Sequence, residues 1–184
     1  MYIRKTSDSD LNNILFVVHK RFGHGKEVGM MKALLVDPSA KPILSLIAFK
    51  DHQAVGFILF TKAHLLTKRK ETTAISILAP LAIVPNTQRG IGGKLVESGL
   101  QVLKDSGVDL VFVLGNPDYY SRYGFCPAGN IGFSAPYSIP DDFQAAWMVQ
   151  ALYPGVMGTV SGKVICSDEL NKAKYWQKNS YSSI

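Results

Sequence analysis

Leu81-Ala82-Ile83-Val84-Pro85-Asn86-Thr87-Gln88-Arg89-Gly90-Ile91-Gly92-Gly93 reads as an apolar strand running into a proline, a polar turn and three glycines. Directly behind it, residues 90–106 carry Ile91, Leu95, Leu100 and Leu103 at helical spacing, with Gly107 as a stop signal. A strand-to-helix turn of this kind aims unpaired backbone N–H groups and the positive end of a helix dipole at one point. Such a point binds phosphate. Glycine also serves a plain tight turn, but three within four positions exceed what a turn needs. Two familiar phosphate motifs fail on spacing. A P-loop needs G-x-x-x-x-G-K-[ST], yet Gln88 stands at the first glycine and Leu95 follows Lys94. A dinucleotide fingerprint, G-x-G-x-x-G, breaks at Leu95.

Working outward, Tyr2–Lys5 reads as a short strand, and Ser7 with Asp10 resembles the two ends of a capping box. Leu11, Ile14, Leu15, Val18 and Phe22 then recur at helical spacing until Gly23-His24-Gly25 breaks the pattern. A second helix covers Glu27–Val36 and stops before Pro38. Leu44–Lys50 and Ala54–Leu66 form a hairpin about the turn Asp51-His52-Gln53. Thr73–Ile83 is a long strand interrupted by Pro80, which removes a ladder hydrogen bond and so belongs at a bulge or an edge. Leu110–Leu114 is continuously apolar, as for a strand buried on both faces, and a helical crossover makes it parallel to the strand before it. Pro117–Tyr123 is a short helix opening on proline. Beyond Phe125 the chain reads as strand and loop, with Pro127, Pro136, Pro140 and Pro154 marking turns.

Two segments together resemble the GNAT superfamily of N-acetyltransferases. Leu81-Ala82-Ile83, Pro85 and Gln88-Arg89-Gly90-Ile91-Gly92 are similar to its acyl-CoA pyrophosphate loop, an apolar strand followed by Q/R-x-x-G-x-G/A. Val113-Leu114-Gly115-Asn116-Pro117-Asp118-Tyr119-Tyr120-Ser121-Arg122-Tyr123-Gly124-Phe125 is similar to its fifth strand and following helix. Ala79-Pro80-Leu81, Leu114-Gly115-Asn116-Pro117 and the stretch Gly155 to Gly162 point to the YhbS-like branch. One departure stands out: from Gln88 to Gly90 is a residue shorter than Q-x-x-G. Either Thr87 takes the Gln/Arg position or the turn has lost a residue; the glycine amides serve as phosphate donors in both cases.

The resemblance implies an α/β fold with a mixed sheet and a splayed central parallel strand pair, and pantetheine lying between the parted strands. It implies acetyl-CoA as cosubstrate, no metal, and an amine acceptor. It assigns cofactor contacts to Leu81, Ala82, Ile83, Gln88, Arg89, Gly90, Ile91, Gly92, Gly93, Lys94, Asn116 and Tyr120. The Leu81 backbone N–H would face the acetyl oxygen, and Tyr120 matches the tyrosine that protonates the leaving thiolate. A phenol of ordinary pKa ~10 is a proton donor at neutral pH; the competing role for Tyr120 is packing within the cluster Tyr119, Tyr120 and Tyr123. Asn116 either bonds pantetheine or caps its own loop. No carboxylate stands on Ala74–Pro80, and Ser76 there can only hold a water. His24, Glu27 and Asp37, from the first two helices, are the remaining candidates for the acceptor side, each more simply read as surface. Deprotonation through ordered water is therefore the expected route.

A chain of 184 residues with 47% hydrophobic and 18% charged content is expected to form one domain over 1–184. Its core would span about 1–135, with a C-terminal strand extension over about 136–184. No apolar run spans a bilayer and no signal-peptide core opens the chain, so the expected compartment is the cytoplasm. Cys126 and Cys166 lack metal-type spacing and read as reduced structural thiols. The net charge of +6 and the run Lys68-Arg69-Lys70 raise a nucleic-acid reading, but no aromatic residues interleave with the run. The exposed edges of the sheet allow a homodimer. A non-catalytic acyl-CoA-binding module is the alternative, motivated by the missing strand carboxylate and the shortened loop.

Overall fold

The computed structural model describes residues 1–67, 73–87 and 89–177. Strand β1, Tyr2–Lys5, leads through a 3-10 turn at Asp8–Asp10 into helix α1, Leu11–Phe22. The Ser7 backbone N–H and hydroxyl both donate to the Asp10 carboxylate, at 2.8 and 2.9 Å, and Arg4 clamps it with two bonds of 2.7 Å. Gly23 ends α1 at φ 63°, a left-handed value that suits glycine. Helix α2, Lys26–Val36, follows.

Strands β2, Leu44–Lys50, and β3, Gln53–Leu66, form the expected hairpin. Its tip is two residues, Asp51 and His52, both at positive φ, and Gln53 already pairs with Lys50. Strand β4, Ile75–Ile83, starts two residues later than expected because Ala74 is taken up by Asp109: its N–H donates to the Asp109 carboxylate and its carbonyl accepts from the Asp109 N–H. Helix α3 runs Ile91–Asp105 and strand β5 Leu110–Leu114. The short helix α4 covers Pro117–Tyr120 alone; Ser121–Tyr123 tightens into a 3-10 turn ending at Gly124.

The last third supplies β6, Cys126–Pro127, β7, Phe133–Ser134, β8, Trp147–Ala151, and β9, Gly162–Ile165. Among the described residues the main path of the sheet is β1-β2-β3-β4-β5-β8-β6. Strand β8 lies inside that path, antiparallel to β5 from Leu110↔Ala151 to Leu114↔Trp147, so the region beyond 135 is woven into the sheet. Pro127, expected at a turn, instead sits in the edge strand β6, where a missing N–H costs no interior ladder bond. The far end of β3 pairs with β9, from His64↔Ile165 to Leu66↔Lys163.

Helices cover both faces. On one, Ile14, Val17, Val18, Met31 and Leu34 of α1 and α2 pack with Phe57, Leu59, Ile77 and Phe112. On the other, Ile91, Leu95, Val96, Leu100 and Leu103 of α3 pack with Ile58, Phe60, Leu78, Val111 and Val113. Neighbours along β3 and β5 thus bury on opposite sides, which is why both strands read as unbroken apolar runs.

The decisive irregularity is in β4. Ile58 pairs with Leu81 and Phe60 with Leu78, so two residues of β4, Ala79 and Pro80, stand opposite one of β3. That is a bulge carried by β4. Its parallel pairing with β5 runs from Ile75↔Leu110 to Leu78↔Val113 and ends where the bulge begins. Past that point β4 continues beside β3 while β5 turns away into α4.

Candidate active site

The parting of β4 from β5 opens a cavity of about 440 Å³. Leu78, Ala79, Pro80 and Leu81 line it on one side, Val113, Leu114, Gly115 and Asn116 on the other, with Tyr119 and Tyr120 behind. A second cavity, of about 460 Å³, lies over the turn into α3. Arg89, Gly90, Ile91, Gly92 and Gly93 line it, joined by Arg122 and Tyr123. Arg21, Ile83 and Tyr119 border both cavities, so the two meet.

The turn itself is built by local bonding. The Thr87 hydroxyl donates to the Val84 carbonyl at 2.6 Å, and Gly90 takes a left-handed φ of 89° as the cap of α3. Lys94 N–H already donates to the Gly90 carbonyl, so the first-turn amides without an intrahelical partner are those of Ile91, Gly92 and Gly93. Lys94 is exposed and lies off the cavity wall, and Ala82 is wholly buried in the α1–α2 core. Gln88 lies outside the described residues, as does the run Lys68 to Lys70. The glycines have a second reason to be glycine. A β-carbon on Gly92 would run into the Tyr119 hydroxyl, and one on Gly93 into that of Tyr123.

The three tyrosines divide the two cavities between them. Tyr120 is buried, its ring edge-on to Tyr119 at 5.1 Å and to Phe125 at 5.6 Å, and lies so close under Gly115 that a β-carbon there would clash. Burial pushes its hydroxyl above the ordinary tyrosine range, with Tyr119 and Tyr123 adding to the shift. Tyr119 is half-buried at the glycine-rich turn; burial and a hydrogen bond with Tyr123 raise its hydroxyl too. Both phenols are therefore proton carriers across the neutral range. Asn116 caps α4, its side-chain oxygen accepting from Asp118 N–H at 2.8 Å and Tyr119 N–H at 3.2 Å. Its amide nitrogen is the part left for a ligand.

The candidates for the acceptor side separate. Glu27, on the first turn of α2, lines the first cavity, between the strands. His24 is exposed, with its ring against His19 at 5.8 Å, and lines neither cavity. Asp37 is structural: it accepts from Ser39 and, at 3.0 Å, from the Glu169 N–H. Burial pushes its carboxyl up, yet these bonds outweigh burial and hold it below its ordinary range. Ser76, expected to hold a water, donates instead to the Thr61 carbonyl at 3.0 Å and is not on the cavity wall. Neither thiol lines a cavity; Cys126 donates to the Val149 carbonyl at 3.6 Å, and burial pushes Cys166 up to about 12.

No pattern in the sequence marks the remaining wall. Leu170, Tyr175 and Trp176, near the end of the described chain, line the first cavity together with Phe22 and Met30. Among the described residues there is no group of three or more metal-ligating side chains, and no helix is long and apolar enough to cross a membrane.

A bulged strand parting from its parallel neighbour above a glycine-rich helix start defines a mixed α/β architecture with an open seam in its sheet, and the comparisons give it a family. The chain is 43% identical to the uncharacterized N-acetyltransferase YjhQ of Escherichia coli over 165 residues, 89% of this chain and 90% of that protein. It is 27% identical to the uncharacterized N-acetyltransferase YhbS of E. coli over 131 residues, 70% of this chain and 75% of that protein. The crystal structure of YhbS in complex with CoA superposes with a TM-score of 0.81 at 25% identity, covering 93% of this chain and 92% of that one. A GNAT acetyltransferase from Brucella melitensis in complex with acetyl-CoA superposes at 0.69 with 27% identity, covering 92% and 97%. No protein-family profile matches the sequence. The chain belongs to the GNAT superfamily of N-acetyltransferases, in its YhbS-like branch, and is an acyltransferase.

Proposed function

We propose that this chain transfers the acetyl group of acetyl-CoA to a primary amine. The observation that carries the reading is the meeting of the two cavities: a site suited to pyrophosphate opens directly into the gap between β4 and β5. The amides of Ile91, Gly92 and Gly93 hold the pyrophosphate, with Gly90 shaping the turn and the Arg89 side chain adding charge. Main-chain groups of Leu81, Ala82 and Ile83 pair with the pantetheine arm beside the bulge, and the Asn116 amide faces it across the gap.

Chemistry then follows from three groups. The Leu81 N–H donates to the thioester carbonyl and stabilises the charge that grows on its oxygen. The acceptor nitrogen, having shed its ammonium proton to solvent, bonds to the carbonyl carbon. As the carbon–sulfur bond breaks, the Tyr120 hydroxyl gives its proton to sulfur, and the product nitrogen releases its second proton, which restores the phenol. Amide, thiol and one net proton leave. Relatives in complex with CoA and acetyl-CoA support the cosubstrate. The test is calorimetric titration with acetyl-CoA followed by thiol release over an amine panel. Tight binding with no thiol release above the enzyme-free rate would leave a binding module without turnover; no binding would remove the reading altogether.

A further inference from the structure

The first cavity says something about the amine itself, an inference that rests on the acetyltransferase reading above. Beyond Leu81 its far wall is Phe22 and Met30 from α1 and α2, and Leu170, Tyr175 and Trp176 from the C-terminal segment. The polar atoms of the two large aromatics are already committed. Tyr175 donates to Glu169 at 2.6 Å and Trp176 to the Leu170 carbonyl at 2.8 Å. What Trp176 turns toward the cavity is hydrocarbon, while the Tyr175 ring already carries the Lys174 ammonium 4.8 Å from its centroid. The Trp176 ring is also held edge-on to Trp147 at 5.7 Å, so the wall is set before any ligand arrives.

Charge in the wall is equally selective. Among the described lining residues Glu27 is the one carboxylate, while Arg21 and Lys26 flank it with positive charge. One ammonium group finds an opposite charge there, while the Phe22 and Tyr175 rings already hold Arg21 and Lys174 against them. A second or third ammonium would be taken from water with no further carboxylate to meet it among the described lining residues. We propose that the acceptor is a small primary amine on an apolar body, an alkylammonium or arylalkylammonium ion, with Glu27 facing its charge and Trp176 its hydrocarbon.

The test is a homologous series, n-propylamine to n-hexylamine, with 2-phenylethylamine, spermidine, kanamycin and a lysine peptide alongside, read by thiol release with the full chain. Burial of each methylene is worth about 0.8 kcal/mol, so kcat/KM should climb about threefold to fourfold per carbon. Phenylethylamine should exceed spermidine by at least about tenfold. Trp176→Ala and Glu27→Gln should each raise the KM for phenylethylamine about tenfold while acetyl-CoA affinity stays within about twofold. The chain-length slope needs no variant and so survives a Trp176 substitution that fails to fold. A flat slope, or preference for spermidine, kanamycin or the peptide, overturns the proposal. Acetyl-CoA binding with no acetylation of any alkylamine overturns it too, while leaving the cosubstrate assignment; absence of acetyl-CoA binding removes both.

Discussion

Replacing Tyr120 by phenylalanine should cost turnover and almost nothing else. The ring contacts with Tyr119, Phe125 and Gly115 survive the change, and among the described residues no protein hydrogen bond to the Tyr120 hydroxyl is lost. Folding stability should therefore move by less than about 0.5 kcal/mol. Acetyl-CoA affinity should hold as well, because the hydroxyl is needed only while the carbon–sulfur bond breaks. A positioned general acid contributes ~10²–10⁴-fold, or about 3–5 kcal/mol of transition-state stabilisation, and that loss should fall on kcat. Burial holds the wild-type phenol above its ordinary range, so it stays protonated and kcat should show no alkaline limb from it below about pH 10. The assay is thiol release at saturating acetyl-CoA, paired with calorimetry on both proteins. Tyr119→Phe is the control: its hydroxyl lies against Gly92 at the phosphate turn, so its loss should weaken acetyl-CoA binding about twofold to fivefold and spare kcat. If Tyr120→Phe keeps kcat while Tyr119→Phe loses it, the two tyrosines have exchanged roles and the proton does not travel through Tyr120.

Gly92→Val should weaken acetyl-CoA binding at least about tenfold by calorimetry, because its β-carbon displaces the Tyr119 hydroxyl and crowds the amides left for phosphate; a folded variant with unchanged affinity would move the phosphate site elsewhere. Asp10→Asn should lower Tm by about 2–4 °C at neutral pH, the scale of a lost cap. Hydrogen bonds from Arg4, opposed by burial and aided by Ser7, hold this carboxyl below its ordinary range in the folded chain. Its contribution is thus present above the unfolded value of about 3.9 and lost as pH falls through the folded one, so the difference between the two proteins should shrink below about pH 3. Melts showing the same gap at every pH would contradict this. Gly99→Ala should destabilise by about 1–3 kcal/mol in urea although alanine favours helix, since its β-carbon meets the Phe60 ring; a gain in stability would mean that the ring yields freely.

The glycine-rich turn, the apolar run at Leu110–Leu114 and the Pro80 interruption were legible because each is a local pattern with a local cause. The strand after the crossover is parallel, as the connection requires, and Pro80 lies in a bulge. The far wall of the first cavity was not legible. It depends on the Glu169 N–H reaching Asp37 and the Asp168 N–H reaching Ser39, bonds spanning 132 and 129 residues, which leave no periodicity in either segment. Asp37 and Glu27 look alike as acids flanking one helix; only packing makes the first a tether and leaves the second facing the cavity. Tyr119 and Tyr120 are adjacent in the chain, and their division between the phosphate turn and the strand gap comes from α4 being a single turn fixed by Asn116.

The extra residue in β4 separates what folds this protein from what it does. Around the bulge, Leu78 and Leu81 belong to the α3 side and Ala79 and Ala82 to the α1 side, so alternation is already correct on both flanks without Pro80. A chain lacking that one residue could therefore keep every core contact of β4, pair it regularly with β3 and run it on beside β5. The seam would then be closed by ordinary ladder bonds. A single codon is the distance between an open crevice and an unbroken sheet.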